Sequence, residues 1–477
     1  MRRMIFGAFV IVGCLATVGM RPTLADEPAA ASPALLNSKV LPKLDCKIAS
    51  GLEQVDPAEF GLPLVVRQVD GERLLVGNDR KGWVARSQVV TLDEASHYYT
   101  DVLRADPKSA WAYTLRATAR LETGKLDLAI ADYGEAIALD PGNSATYADR
   151  GAAWAMKRDF ANAIVDFERA LRLDPQNAHA YANRGVAWIH EKHYDRAIAD
   201  LTTALQLDPR DAQAYAYRGA ARILLKEYDE AIIDFNQSLR LDPQNADAYH
   251  NRANAWAEKR EFAKAVADYD EAIRLQPKHA KAWFGRGDAW RAQYSLDKAI
   301  GDYSEAIRLD PNNAKIYFSR AVLLGAKKEY EPCIADFDAV IRLDPSNALA
   351  YSARASTLAH LKRYDAANAD FAKAIELEPK NAIVCNGIAW LHATCPEAAL
   401  RDGKQAVTEA TLSCELTQWK FFATLDTLAA AYAETGDFDE AVKWQQKAID
   451  LNPDDPGFAK DAGERMALYR DHKAYRE

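Results

Sequence analysis

The chain has 477 residues, 49% of them hydrophobic and 27% charged, with 69 acidic against 60 basic side chains and a formal net charge of −9. That balance excludes a protein built to bind polyanions, which needs a dense basic face to neutralise phosphates, so no nucleic-acid partner is expected. Six cysteines without a CxxC pair exclude a disulfide-rich scaffold and a metal finger.

The amino terminus reads as an export signal. Met1-Arg2-Arg3 gives a positive start, Ile5 to Met20 is apolar, and Thr23-Leu24-Ala25 offers the small residues a signal peptidase reads. Residues 1–25 are therefore expected to be removed, leaving no stable membrane span and placing the protein in the periplasm or cell envelope of a bacterium. An uncleaved anchor is the competing reading, but the run falls short of the ~20 residues of a typical span. In a third, Ile11-Val12-Gly13-Cys14 acts as a lipoprotein box; the apolar stretch continues past Cys14, which speaks against it. Residues 26–37 (DEPAAASPALLN) are expected to form a disordered leader.

Residues 38–91 read as β. LPLVVRQV (62–69) and ERLLVGN (72–78) are joined at Asp70-Gly71, and GWVARSQVV (82–90) comes after a turn-rich stretch. Short strands, tight turns and Gly82-Trp83-Val84 resemble a bacterial SH3-like barrel. Trp83 would pack one end of such a barrel; a ligand-facing ring, for example against cell wall, is the alternative.

From residue 92 onward the pattern is helical and periodic. LDEASHYYTDVLRADP (92–107) matches the second half of a unit and is expected to cap the repeats. EAIALDP ends at Pro141, RALRLDP at Pro175, and further versions end at Pro209, Pro243, Pro277, Pro311, Pro345 and Pro379, a period of 34 residues. No active site has such a period, whereas a stack of identical units does. Eight regular units fill 108–381. A degenerate unit with an insertion and a final unit fill 382–455, and a helix over 456–477 caps the end.

Aligned units show columns. A first helix is expected to begin at an aromatic (Tyr147, Tyr181, Tyr215), with a small residue four positions on (Gly151, Gly185, Gly219). A second helix carries Ala163, Ala197 and Ala231, with a bulky residue four positions on (Phe167, Leu201, Phe235). Small against large lets two helices interlock. The proline stops each unit, and Asn143, Asn177, Asp211 and Asn245 stand where the next helix needs a cap. The columns resemble the tetratricopeptide repeat (TPR) family over roughly 360 residues. The resemblance implies a mainly α fold, a right-handed solenoid of helical hairpins behind a small β domain. It also implies a groove, lined by the first helices, that binds proteins or peptides. The order of signal, β segment and repeats looks like a group of exported bacterial repeat proteins.

Two charged columns stand beside the packing columns: Arg116, Arg150, Arg184, Arg218, Arg252, Arg286, Arg320 and Arg354, and Asp132, Asp166, Asp200, Asp234, Asp268, Asp302, Asp336 and Asp370. They are 16 residues apart within a unit and 18 between units, and are read as a structural ladder of ion pairs. Arginines gripping acidic ligands would be the functional alternative. Specificity is expected where columns vary, at Trp111, His250, Asn254, Phe284, Asp288, Arg291 and Phe318, with Lys281 and Lys315 nearby. His190 and His193 fall at a turn without a third ligand. A contact between Cys385 and Cys414 is a further expectation.

No phosphate-cradling glycine loop, HExxH or nucleophile elbow is present, and the repeats leave no room for a catalytic domain. The sequence points to no enzyme, cofactor or metal. It predicts an exported scaffold for protein contacts; the alternative is a peptidoglycan-binding protein with a TPR stalk. Self-association is left open.

Overall fold

The computed structural model describes residues 35–50, 53–57, 62–77 and 81–477; the signal reading of 1–25, Cys14 and most of the 26–37 leader lie outside the described residues. The chain forms two compact units, Met1–Pro243 and Gln244–Glu477.

The first unit opens with seven antiparallel strands, β1 (Lys39–Pro42), β2 (Ile48–Ser50), β3 (Glu53–Val55), β4 (Leu64–Asp70), β5 (Arg73–Val76), β6 (Gly82–Ala85) and β7 (Val89–Thr91), in the order β3-β2-β6-β5-β4-β1-β7. Alternate residues of these strands, among them Val40, Ile48, Leu64, Val66, Leu74, Val76 and Val84, close a small apolar core. Asp70 pairs with Arg73, so the turn residues are Gly71 and Glu72, one position later than the sequence suggested. Gly71 has φ +58°, which suits the first central position of a II′ turn. Trp83 is half-buried with the Arg73 guanidinium 5.3 Å from its ring.

The helix Leu92–Ala105 joins sheet to repeats. Thr91 and Glu94 form a capping box at its start. Its buried Ala95 and Tyr99 pack with Leu41 and Val90 of the sheet and with Leu115 and Ala119 of the first hairpin, and the Tyr99 hydroxyl donates to the Pro42 carbonyl at 2.6 Å.

Each regular hairpin has a first helix of 13 residues and a second of 14, as in Ser144–Met156 and Phe160–Leu173. The cap, not the aromatic, sets the start. Asn143 accepts from the Thr146 amide, the helix opens at Ser144, and Tyr147 falls one turn in. Asn177, Asp211, Asn245, Asn347 and Asn381 cap in the same way, and His279 replaces them with its Nδ1, which accepts from the Ala282 amide at 3.0 Å. Asn313 instead donates to Asp310. The small-against-large columns interlock tightly: a Cβ on Gly151 would lie 2.8 Å from the Phe167 ring, and one on Gly219 2.9 Å from Phe235.

The second unit continues this pattern to the helix Tyr364–Leu377 and then departs from it. Between Ala382–Thr394 and Gly403–Leu416 the connection is eight residues long, against three in a regular hairpin. Arg401 holds that loop, donating to the carbonyls of Cys395 and Pro396 at 3.0 Å and to Glu434 at 2.9 Å. The helices Phe422–Thr435, Phe438–Leu451 and Pro456–Arg470 end the chain. Cys385 and Cys414 are both free and buried, as are Cys46, Cys333 and Cys395. Burial pushes the Cys414 thiol up to about 11. Among the described residues, no helix is long and apolar enough to cross a membrane.

Candidate functional site

The arginine column is committed to the aspartate column. Arg150 donates through Nε and Nη2 to the two carboxylate oxygens of Asp166 at 2.8 and 2.7 Å, and Arg184, Arg252, Arg286, Arg320 and Arg354 hold Asp200, Asp268, Asp302, Asp336 and Asp370 in the same bidentate way. Arg116–Asp132 and Arg218–Asp234 complete the series. Every one of these aspartates is buried. The spacing used is 16, between the two helices of one hairpin. Several arginines also reach 16 residues back: Nη1 of Arg286 to Asp270, of Arg320 to Ser304 and of Arg354 to Asp338. A planar five-donor fork suits three helices at once, which lysine could not match. The bond to Asp302 raises the Arg286 guanidinium above its ordinary range.

The variable positions of the second unit lie at offsets 1, 4, 8 and 11 from each first-helix start, one face of a helix. Lys281, Phe284, Asp288 and Arg291 come from Ala280–Ala292, and Lys315, Phe318 and Val322 from Ala314–Ala326. Phe284 is half-buried, tilted on Tyr303 at 5.5 Å, with the Lys315 ammonium 5.1 Å from its ring. Phe318 is half-buried and edge-on to Phe337 at 5.6 Å. Arg291, Lys281 and Lys315 are exposed, and so is Val322, at 47%.

Two expected groove residues are not on the surface. His250 and Asn254 are buried, 7% and 5% exposed. Asn254 accepts from the Tyr269 hydroxyl at 2.5 Å and meets His250 Nε2 at 3.1 Å, while the His250 ring tilts against His279 at 4.8 Å. Asp288 likewise accepts from Tyr303 at 2.7 Å. A hydroxyl buried between helices needs a partner, and the partner comes from 15 residues earlier. Tyr133 finds Thr118 by the same rule. Phe167, Phe235 and Phe337 lack a hydroxyl and have an apolar residue at that position, Ala152, Ala220 and Val322, whereas Phe371 has Ser356, whose hydroxyl donates to the Ser352 carbonyl in its own helix. Asn254 and Asp288 are thus packing partners of a tyrosine, and the same rule leaves Val322 apolar and exposed. That pairing is written in the sequence as a correlation between two columns, which a column-by-column reading misses.

Trp111 belongs to the first unit, where it is 38% exposed and edge-on to Tyr99. His190 stacks flat on Phe160 at 4.1 Å and His193 meets Trp188 edge-on, so both rings have aromatic partners. The sequence reading also missed a shallow apolar pocket of about 310 Å³ where Trp419 stacks on Trp444 at 5.1 Å beside Lys447 and Leu451.

The hairpins, their interlocking columns and an exposed first-helix face define a helical-repeat scaffold for protein contacts. Models of the tetratricopeptide repeat match residues 92–144, 152–201, 191–246, 250–314, 314–347, 333–382 and 422–455. More than half of the chain is covered, and the chain belongs to the tetratricopeptide repeat family. Among solved structures it is similar to MamA (26% identity over 36% of this chain and 94% of that one, TM-score 0.33). It is also similar to YrrB, a TPR protein with an unusual peptide-binding site (27%, 39% and 96%, TM-score 0.35), and to PilF of Pseudomonas aeruginosa (20%, 43% and 94%, TM-score 0.40). No curated protein matches the chain.

Proposed function

We propose that the protein is a non-catalytic adaptor of the bacterial cell envelope, exported by its amino-terminal signal, that holds a partner protein on the first-helix face of residues 280–326. The observation that carries this reading is the combination on that face of an exposed aliphatic, Val322, two half-buried phenylalanines and three exposed cations, Lys281, Arg291 and Lys315. Aromatic and aliphatic groups rimmed by charge suit a protein interface, and the cations favour an acidic rim on the partner. Export rests on the arginines and the apolar run of residues 1–20 and on Thr23-Leu24-Ala25.

Affinity capture from an envelope fraction tests the reading. The bait is residues 26–477, and the control carries Arg291→Glu and Val322→Asp. Both sites are exposed, though Arg291 pairs with Asp288 at 3.2 Å, so the control is first checked for the helical circular dichroism of the wild type; truncating Phe284 or Phe318 would open the packing on Tyr303 and Phe337. A protein retained by the wild type and lost by the control supports the adaptor. Equal retention by both, or recovery of wall fragments alone, contradicts it.

A further inference from the structure

Beyond the helix Pro456–Arg470 the chain reverses at His472, φ +53°, and residues 473–477 run back with no regular secondary structure across three earlier first helices. The Glu477 amide donates to the Thr394 carbonyl at 3.1 Å, and its side chain accepts from Trp390 Nε1 at 3.0 Å and approaches His360 Nδ1 at 3.7 Å. Arg476 reaches the Ala393 carbonyl at 3.4 Å and Glu434 at 2.6 Å. Tyr475 faces Trp390 at 6.0 Å, and the Arg465 guanidinium lies 5.6 and 5.7 Å from those two rings while Asp426 holds it at 2.9 Å.

The positions touched are not arbitrary. Trp390 lies eight residues after the start of its helix, as Asp288 does, and His360, Thr394 and Glu434 all lie twelve after the start of theirs. The tail therefore occupies the first-helix face of the last repeats, the same face that carries Phe284 and Val322 further up. Its contacts are those of an extended peptide: one main-chain bond, an aromatic ring against an indole, a guanidinium on a carboxylate, a carboxylate on an indole N–H. Tyr469 of the preceding helix is fully buried against Ala429, Ala433 and Ala441, and Ala474 and Tyr475 of the tail pack on the outside of that cluster, themselves only partly buried. The tail itself stays half in water, with the Arg476 side chain 37% and the Glu477 side chain 29% exposed.

We propose that residues 473–477 are an intramolecular ligand, and that the face around Trp390 and Glu434 is a peptide site. It takes extended segments presenting an aromatic, a basic and an acidic side chain in succession. Tethered to its own site, the tail acts at an effective concentration of order mM and blocks competitors weaker than that. The proposal is independent of the partner surface at 280–326.

The test compares the full chain with one ending at His472, using a fluorescein-labelled DHKAYRE peptide and reading anisotropy. The shortened chain is expected to bind the peptide, the full chain at least tenfold more weakly, and the shortened chain with Trp390→Ala at least tenfold more weakly than its parent. Equal binding by full and shortened chains overturns the proposal. So does no binding at about 1 mM peptide to a shortened chain that keeps the helical circular dichroism of the full one. If the shortened chain fails to fold, full-length Tyr475→Ala/Glu477→Gln takes its place with the same expected and overturning results.

Discussion

Arg218 and Asp234 meet as fork on carboxylate, Nε to Oδ2 at 3.0 Å and Nη2 to Oδ1 at 2.7 Å, and Asp234 is 1% exposed. A second arginine, Arg222, reaches the same carboxylate at 2.8 Å. In the preceding hairpin Asp200 is held by Arg184, and the position four residues after Arg184 is Trp188 rather than arginine.

Removing one partner of a buried pair strands the other, at a cost of about 3–5 kcal/mol. Arg184→Ala should therefore fall near that range in urea unfolding, and Arg218→Ala clearly below it, because Asp234 keeps Arg222. A double-mutant cycle on Arg218 and Asp234 should give a coupling of at least about 1 kcal/mol. Strict additivity would remove the ladder as the element that fixes helix register in this hairpin.

Burial, reinforced by His279 and Lys281 and opposed by Asp247, pushes His250 down to about 3 from an ordinary value of 6.5. The folded chain refuses a proton that the unfolded chain takes up below pH 6.5. Stability should fall as pH drops from 6.5 toward 3, by up to about 1.4 kcal/mol per pH unit from this residue. Phenylalanine occupies the matching position in the next two hairpins, at Phe284 and Phe318. His250→Phe should flatten the pH dependence of the urea midpoint between pH 7 and pH 5, by on the order of 1–2 kcal/mol. An unchanged slope would mean that His250 is protonated as easily folded as unfolded.

Much of this was legible because each column repeats one environment. The proline joints, the asparagine caps and the Arg–Asp spacing of 16 are visible as types and intervals, and eight copies average away local accidents. What a single column does not carry is direction. His250 and Asn254 look like Phe284 and Asp288 in register, and Asn254 matches the Tyr269 hydroxyl as Asp288 matches that of Tyr303, yet only the first pair is buried, with His250 closed over Asn254 and against His279. The course of residues 473–477 was illegible for a related reason. A tail without periodicity is placed by a few long-range polar contacts, such as Trp390 with Glu477, that local pattern does not encode.

The turn inside each regular hairpin needs one residue in the left-handed region. The first hairpin uses Gly124, φ +74°; later ones use side-chain-bearing residues, among them Tyr294, φ +59° and 90% exposed. A bulky side chain is strained there and nothing covers the ring, so Tyr294→Gly should raise stability by about 0.5–1 kcal/mol. Differential scanning calorimetry of the two chains checks the sign; a loss of stability would show that the tyrosine ring is held by contacts stronger than the strain.

The central claim is that a partner sits on the first-helix face of residues 280–326. Lysine-directed crosslinking of the captured complex, read by mass spectrometry, tests it most directly, because that face carries exposed Lys281 and Lys315 while the second helices carry exposed Lys264 and Lys298. Crosslinks from the partner should concentrate on Lys281 and Lys315 and disappear with Arg291→Glu/Val322→Asp. Crosslinks concentrated on Lys264 and Lys298, or on Lys43 and Lys47 of the β domain, would contradict it.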